Sequence, residues 1–138
     1  MRKIFLYGLL AGVLMLVVGL ALSQIFNFVF PSLKAEYMNE NLIRPWSDPV
    51  MSLYFVYPFV FGILAAWVWS KVKPVVPGQT PWQKAWRFAL AGWIVSNIPG
   101  MLMSYSTFPI SLLMVVSWSL SSLIQFVIAG WVYARFIK

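Results

Sequence analysis

The chain has 138 residues, 62% of them hydrophobic and 9% charged, with a formal net charge of +7 and neither cysteine nor histidine. That balance lies outside the soluble globular range and leaves room for one membrane domain, residues 1–138, and no soluble one. The missing residue types exclude disulfides, thiolate chemistry, Cys/His metal sites, histidine-ligated haem and every Ser/His or Cys/His nucleophile pair, so neither cofactor nor metal is expected.

Residues 4–33 carry no charged side chain, and about 20 apolar residues cross a bilayer core of roughly 30 Å. A first span is expected over about residues 4–30. Met1-Arg2-Lys3 and Ala21-Leu22-Ser23 resemble the ends of a secretory signal. The apolar run continues past them to Phe30, however, so the span is expected to remain uncleaved. Gly8, Gly12 and Gly19 fall within about 40° of one another around this helix, a helix-packing stripe that includes a GxxxG; its expected neighbour is a helix of the same chain. Pro31 should stop the span.

Residues 31–47, with Asp48 just beyond, hold all three acids of the chain, Glu36, Glu40 and Asp48. This stretch reads as a solvated connector, with Arg44-Pro45-Trp46 as the segment suited to a cap or a docking contact. Asp48-Pro49 reads as N-cap and first residue of a second span, about 49–71. After a short linker, Thr80-Pro81-Trp82-Gln83 forms a capping box with proline at the first helical position, opening a third span over about 81–105. Phe108-Pro109 opens the fourth, about 109–136. The expected fold is an all-α integral membrane protein: a four-transmembrane-helix up-down bundle in chain order, with helices 2 and 3 kinked at Pro58 and Pro99.

Eight of the ten basic residues, Arg2, Lys3, Lys71, Lys73, Lys84, Arg87, Arg135 and Lys138, fall on one side of these spans. Lys34 and Arg44 fall on the other with the acids. The positive-inside rule then puts both termini in the cytoplasm, with the chain multi-pass in a plasma (inner) membrane. Trp67, Trp69, Trp82, Trp86, Trp131 and Tyr133 read as an interfacial belt beside those cations. The similar strings at residues 66–71 and 130–135 follow from that shared location. The basic residues flank spans and do not cluster on a soluble face, so nucleic-acid binding is not expected.

No ionisable side chain other than tyrosine lies at membrane depth, which argues against proton coupling. The neutral polar groups are the remaining clue. Gln24, Tyr57 and Asn97 fall roughly 9 to 14 Å below the outer surface at about 1.5 Å per residue, level with Pro58 and Pro99. Ser117, Ser121 and Gln125 form one stripe of the last helix; Ser96, Asn97, Gly100 and Ser104 share a face of the third. These groups pair between helices, or they line an outward-facing, uncharged vestibule.

Three functions follow in order of expectation. The first is a non-enzymatic accessory or scaffold subunit, whose partners are the bilayer, other membrane subunits or further copies of the chain. The second is a binder or passive carrier of a small neutral or lipidic ligand held by Gln24, Asn27, Tyr57, Asn97 and Gln125. The third, a lipid-modifying enzyme, needs catalysis from Glu36, Glu40 and Asp48. No residue is expected to be catalytic.

Overall fold

The computed structural model describes residues 1–137; Lys138 of the charge pattern lies outside them. The described residues form helices and no strand: α1 (Arg2–Val29), a short α2 (Pro31–Tyr37), a 3-10 turn (Pro49–Ser52), α3 (Leu53–Val72), α4 (Pro81–Thr107) and α5 (Leu112–Phe136). Three helical stretches, α1, Pro49–Val72 and α5, are long and apolar enough to cross a membrane. At 27 residues α4 is equally long but less apolar, because it carries Gln83, Lys84 and Arg87 near its start and Ser96, Asn97, Pro99 and Ser104 further on. Pro58 and Pro99 lie inside unbroken helices.

The expected caps form. Thr80 Oγ1 accepts from the Gln83 N–H at 3.2 Å, and the Gln83 side chain accepts in return from the Gln79 N–H at 2.9 Å. Asp48 Oδ1 accepts from the Val50 N–H at 2.8 Å, capping the 3-10 turn that leads into α3. The start of the last helix differs from expectation. It is capped not at Phe108-Pro109 but at Ser111, whose hydroxyl accepts from the Met114 N–H at 3.1 Å. Ile110 is drawn into a buried cluster with Leu33 and Met114, which pulls the chain out of helical geometry until Ser111. Residues 31–47 also differ from a plain connector: Pro31 starts α2, and its Leu33 is fully buried.

The long helices pack antiparallel. Gly8 faces Ile63 and Gly12 faces Phe59, so α3 lies along α1 in reverse. On the other flank, Tyr7 stacks on Phe136 at 5.1 Å and Gly19 faces Gln125, which sets α5 against α1. Gly130 meets the Ala85 backbone and Gly92 lies under the Phe126 ring, which sets α4 against α5. The order is therefore α3, α1, α5, α4, a ring in chain order with one side open. Along that side α3 and α4 come together through Trp69 and Phe88 at 5.2 Å, and further on Phe126 of α5 reaches across to Phe61 of α3 at 4.8 Å.

Close backbone approach drives the tightest crossing, as expected where lipid tails are no less apolar than side chains. A Cβ on Gly8 would lie 2.7 Å from Ile63 Cα, one on Gly12 2.8 Å from Phe59 Cα, and one on Gly62 would overlap the Gly8 carbonyl oxygen. Gly8 and Gly12 are thus consumed inside the chain. Gly19 differs from them, because the group it admits is the Gln125 side chain and not a helix backbone.

The core beside the termini is built on Ala11, Met15, Ala65, Ala66, Trp69, Ala129, Val132 and Tyr133. Trp69 and Tyr133 leave the expected belt: they are 2% and 0% exposed, whereas Trp67 and Trp131 are exposed. Both buried rings use their polar atoms. Tyr133 Oη donates to the Gly62 carbonyl at 2.8 Å, and Trp69 Nε1 to the Ile137 carbonyl at 3.1 Å. The two similar strings therefore share a packing role, one ring outward and the next inward. The long helices expose many large apolar side chains, Val17, Leu64, Val95 and Leu102 among them, a surface that water does not suit and lipid does.

Candidate functional site

Past the Phe61–Phe126 pair, the open side of the ring widens into a cavity of about 690 Å³ at the loop end of the helices. That falls within the range of roughly 300–1,000 Å³ typical of ligand pockets. Its walls come from all four long helices: Leu16, Leu20, Ser23, Gln24 and Asn27 of α1; Tyr54, Tyr57 and Pro58 of α3; Met101 and Ser104 of α4; Ser117, Ser121 and Gln125 of α5. Leu42, Ile43 and Trp46 of the connector and Phe108 and Ile110 line its loop end.

The cover is fastened. Glu36 accepts from the Ser111 N–H at 2.9 Å, and Trp118 Nε1 donates to Tyr37 Oη. Arg44 bridges to Asp48 at 2.8 Å, and the Trp46 ring meets Tyr54 edge-on at 5.5 Å. Burial pushes the Tyr37 phenol above its ordinary value, opposed in part by the Trp118 N–H. The Val50 N–H, then the Arg44 guanidinium, hold the Asp48 carboxyl below the ordinary range. Two of the three acids are thus occupied in holding backbone, and Glu40 is exposed in the connector. None of the three lines the cavity, and among the described residues no acidic cluster suits a metal ion.

The cavity gathers four of the five expected ligand residues, Gln24, Asn27, Tyr57 and Gln125, and leaves one out. Asn97 does not line the cavity: it is buried in a polar seam between α4 and α5 that reaches the cavity wall at Ser122. Its Nδ2 donates to Ser119 Oγ at 3.1 Å and its Oδ1 accepts from Ser122 Oγ at 2.8 Å, while Trp93 Nε1 donates to Ser122 Oγ and the Ser119 carbonyl, both at 3.0 Å. Its helix is turned so that Asn97 points at α5 and away from the cavity. Pro99 does not line the cavity either, whereas Pro58 does.

The cavity groups differ in state from that seam. Among the described residues, no side-chain hydrogen bond joins Gln24, Asn27, Tyr54, Tyr57, Ser121 or Gln125 to a protein partner. Asn27 Oδ1 is buried with no partner at all. Unmet amides at membrane depth cost several kcal/mol each unless water or a ligand satisfies them. The arrangement offers hydrogen bonds of both senses, no formal charge, and an apolar lining that includes Met15, Leu16, Leu20 and Met101.

Two features of the site escaped the sequence. The cover of Leu42, Ile43 and Trp46 had only Arg44-Pro45-Trp46 as its signal. The Tyr37–Trp118 contact was legible in principle, because Pro31 at a helix start sets Leu33 and Tyr37 four apart on one face. Comparisons with family models, with curated proteins and with solved structures find no match to the chain, so its function rests on this geometry.

Proposed function

We propose that the chain is a four-span plasma (inner) membrane protein, with both termini cytoplasmic, that binds a small uncharged molecule in the cavity at the outer ends of its helices. The fourth crossing, α4, is supported by its antiparallel packing on α5 from Ala85 to Asn97 and by the four-residue link between the two helices. Orientation follows the charges: Arg2, Lys3, Lys71, Lys73, Lys84, Arg87 and Arg135 lie at one end, and the acids with Lys34 and Arg44 at the other.

One observation carries the binding function: a cavity of about 690 Å³ onto which the amides of Gln24, Asn27 and Gln125 and the hydroxyls of Tyr54, Tyr57 and Ser121 open without a hydrogen-bond partner among the described residues. An accessory subunit needs no such space, and the glycines that suggested a helix partner are occupied by α3 and by Gln125. No charged side chain lines the cavity, so a neutral ligand suits it better than an ion, and no group there is poised for acid–base chemistry.

The test is native mass spectrometry of the protein gently extracted from its own membrane. A reproducible small adduct on the chain, lost in Gln24→Leu/Gln125→Leu while the fold persists, is the expected result. Co-isolation with protein partners at fixed stoichiometry, and no adduct, would return the accessory-subunit reading.

A further inference from the structure

The cavity has a cover at its loop end and an unfilled side between α3 and α4. Four residues of α4 at four-residue spacing, Ala85, Ala89, Trp93 and Asn97, follow its contact with α5: Ala85 meets Gly130, and Trp93 and Asn97 bond to Ser119 and Ser122. The row three residues on is Phe88, Gly92, Ser96 and Gly100, reaching Ser104 at the cavity wall. Phe88 touches Trp69 of α3, and Gly92 lies under Phe126, which itself packs on Phe61 of α3. The row therefore runs along the side that looks toward α3.

Beyond Gly92 the strip opens at Gly100. A Cβ on Gly92 would lie 2.9 Å from the Phe126 ring, but one on Gly100 would meet no atom within 4 Å. Ser96 and Ser104 turn their hydroxyls back on their own helix, donating to the Gly92 and Gly100 carbonyls at 2.7 and 2.9 Å. The strip is thus both small and already satisfied. In antiparallel register from the Trp69–Phe88 contact, Gly100 stands level with Tyr57 of α3, a cavity residue. It is about 10 Å along the helix from Thr107, below the level of an aqueous interface.

We propose that the cavity is reached sideways from the bilayer, through the gap between α3 and the Ser96–Gly100–Ser104 strip, by an uncharged amphiphile with a hydroxyl- or amide-bearing head. The head meets Gln24, Asn27 and Gln125, and the tail stays in the gap against lipid. This rests on the binding function above and specifies its ligand class and route. Three features argue for this route over the aqueous one. The loop end is lined by Trp46, Ile43 and Leu42 and tied to the helices through Glu36 and Tyr37. The gap is walled by small residues where neighbouring helices interlock. The unpaired amides lie at membrane depth, where a water-soluble ligand gains no partition advantage.

The experiment uses the full chain in vesicles of zwitterionic phospholipid carrying a trace of monoacylglycerol with a photoactivatable diazirine in its acyl chain. Cross-linked peptides are read by mass spectrometry. The expected result is labelling of α3 and α4 on either side of the gap, reduced about tenfold, equivalent to roughly 1.4 kcal/mol, in Gly100→Trp and in Ser96→Trp, and unchanged in Gly100→Ala. Two blocking positions guard against one variant failing to fold, and each is scored only if it stays monodisperse with wild-type helicity. Unchanged labelling in both tryptophan variants, with loss in Gln24→Leu/Gln125→Leu, would overturn the lateral route and leave the binding function standing. Labelling that is uniform around the exterior and indifferent to all these variants would overturn both. Cross-links between two copies through the α4 strip would replace the lipid with a second chain as the occupant of the gap.

Discussion

The two ends of this bundle are built on opposite rules. Beside the termini, Gly8, Gly12 and Gly62 bring two backbones into contact, and the buried rings of Trp69 and Tyr133 each donate to a carbonyl. Toward the loop end α4 stays bonded to α5 through Asn97, while a cavity separates the helices elsewhere and the amides of Gln24, Asn27 and Gln125 line it. A bilayer gives no reward for burying apolar surface, so tight packing has to come from close approach and dispersion. The terminal end meets that demand. The loop end forgoes it where leucines would have packed, as the proposed binding function requires.

The sharpest way to break the comparison is to put the same side chain into both ends. Gly62→Leu drives a side chain into the Gly8 carbonyl and the Gly12 backbone, and should cost about 3 kcal/mol or more, since backbone on both sides leaves nothing to yield. Gly100→Leu, with open space around it, should change stability by no more than about 0.5 kcal/mol. Reversible unfolding in mixed micelles, followed by helicity, measures both. Equal costs would mean that the gap beside α4 is closed in solution.

A second contrast sets Asn97 against Gln125, two amides at similar depth. Asn97→Leu strips partners from Ser119 and Ser122 in a closed network and should destabilise by about 1–2 kcal/mol while leaving ligand binding in place. Gln125→Leu removes an amide that has no partner, so it should leave stability unchanged or raise it while abolishing binding. Parallel unfolding and adduct measurements on the two variants decide this. Loss of the adduct in Asn97→Leu alone would move the site into the α4–α5 seam.

This pair also marks how far the sequence could be read. Helix existence and most caps were legible because charge-free length and Asp-Pro or Thr-Pro pairs act locally. That Gln24 and Tyr57 share one cavity was legible from rise per residue. The facing of Asn97 was not. Helices rotate to suit their neighbours, and Gly8, Gly12 and Gly62 decide where α3 sits, so only the assembled packing separates a wall amide from a seam amide. Trp69 and Tyr133 misled for the same reason: an aromatic near a cation reads as interfacial until its helix is turned inward.

A smaller effect comes from Tyr133→Phe, which leaves the Gly62 carbonyl without its O–H donor. Its expected cost is about 1 kcal/mol, read in the same unfolding assay. No change at all would mean that the glycine crossing holds α3 without help from α5, and the terminal end would then rest on backbone contact alone.

The smallest expected effect is acid sensitivity confined to the loop end. The Asp48 carboxyl is held below the ordinary range first by the Val50 N–H and then by Arg44. A lowered folded-state value means its contribution is fully present above the unfolded value of about 4 and fades as pH falls through the folded one. The site is exposed and screened, so the consequence is local fraying of the Pro49–Ser52 turn and not global unfolding. Trp46 lies two residues away against Tyr54 and Phe55, so the difference in tryptophan fluorescence between the wild-type chain and Trp46→Phe, followed as pH is lowered stepwise, should report the transition. Asp48→Asn should abolish the transition, because the amide keeps an acceptor for Val50 but cannot titrate. A transition that survives in Asp48→Asn would assign the acid-sensitive contact to another carboxylate of the cover and separate the turn from the closing of the cavity.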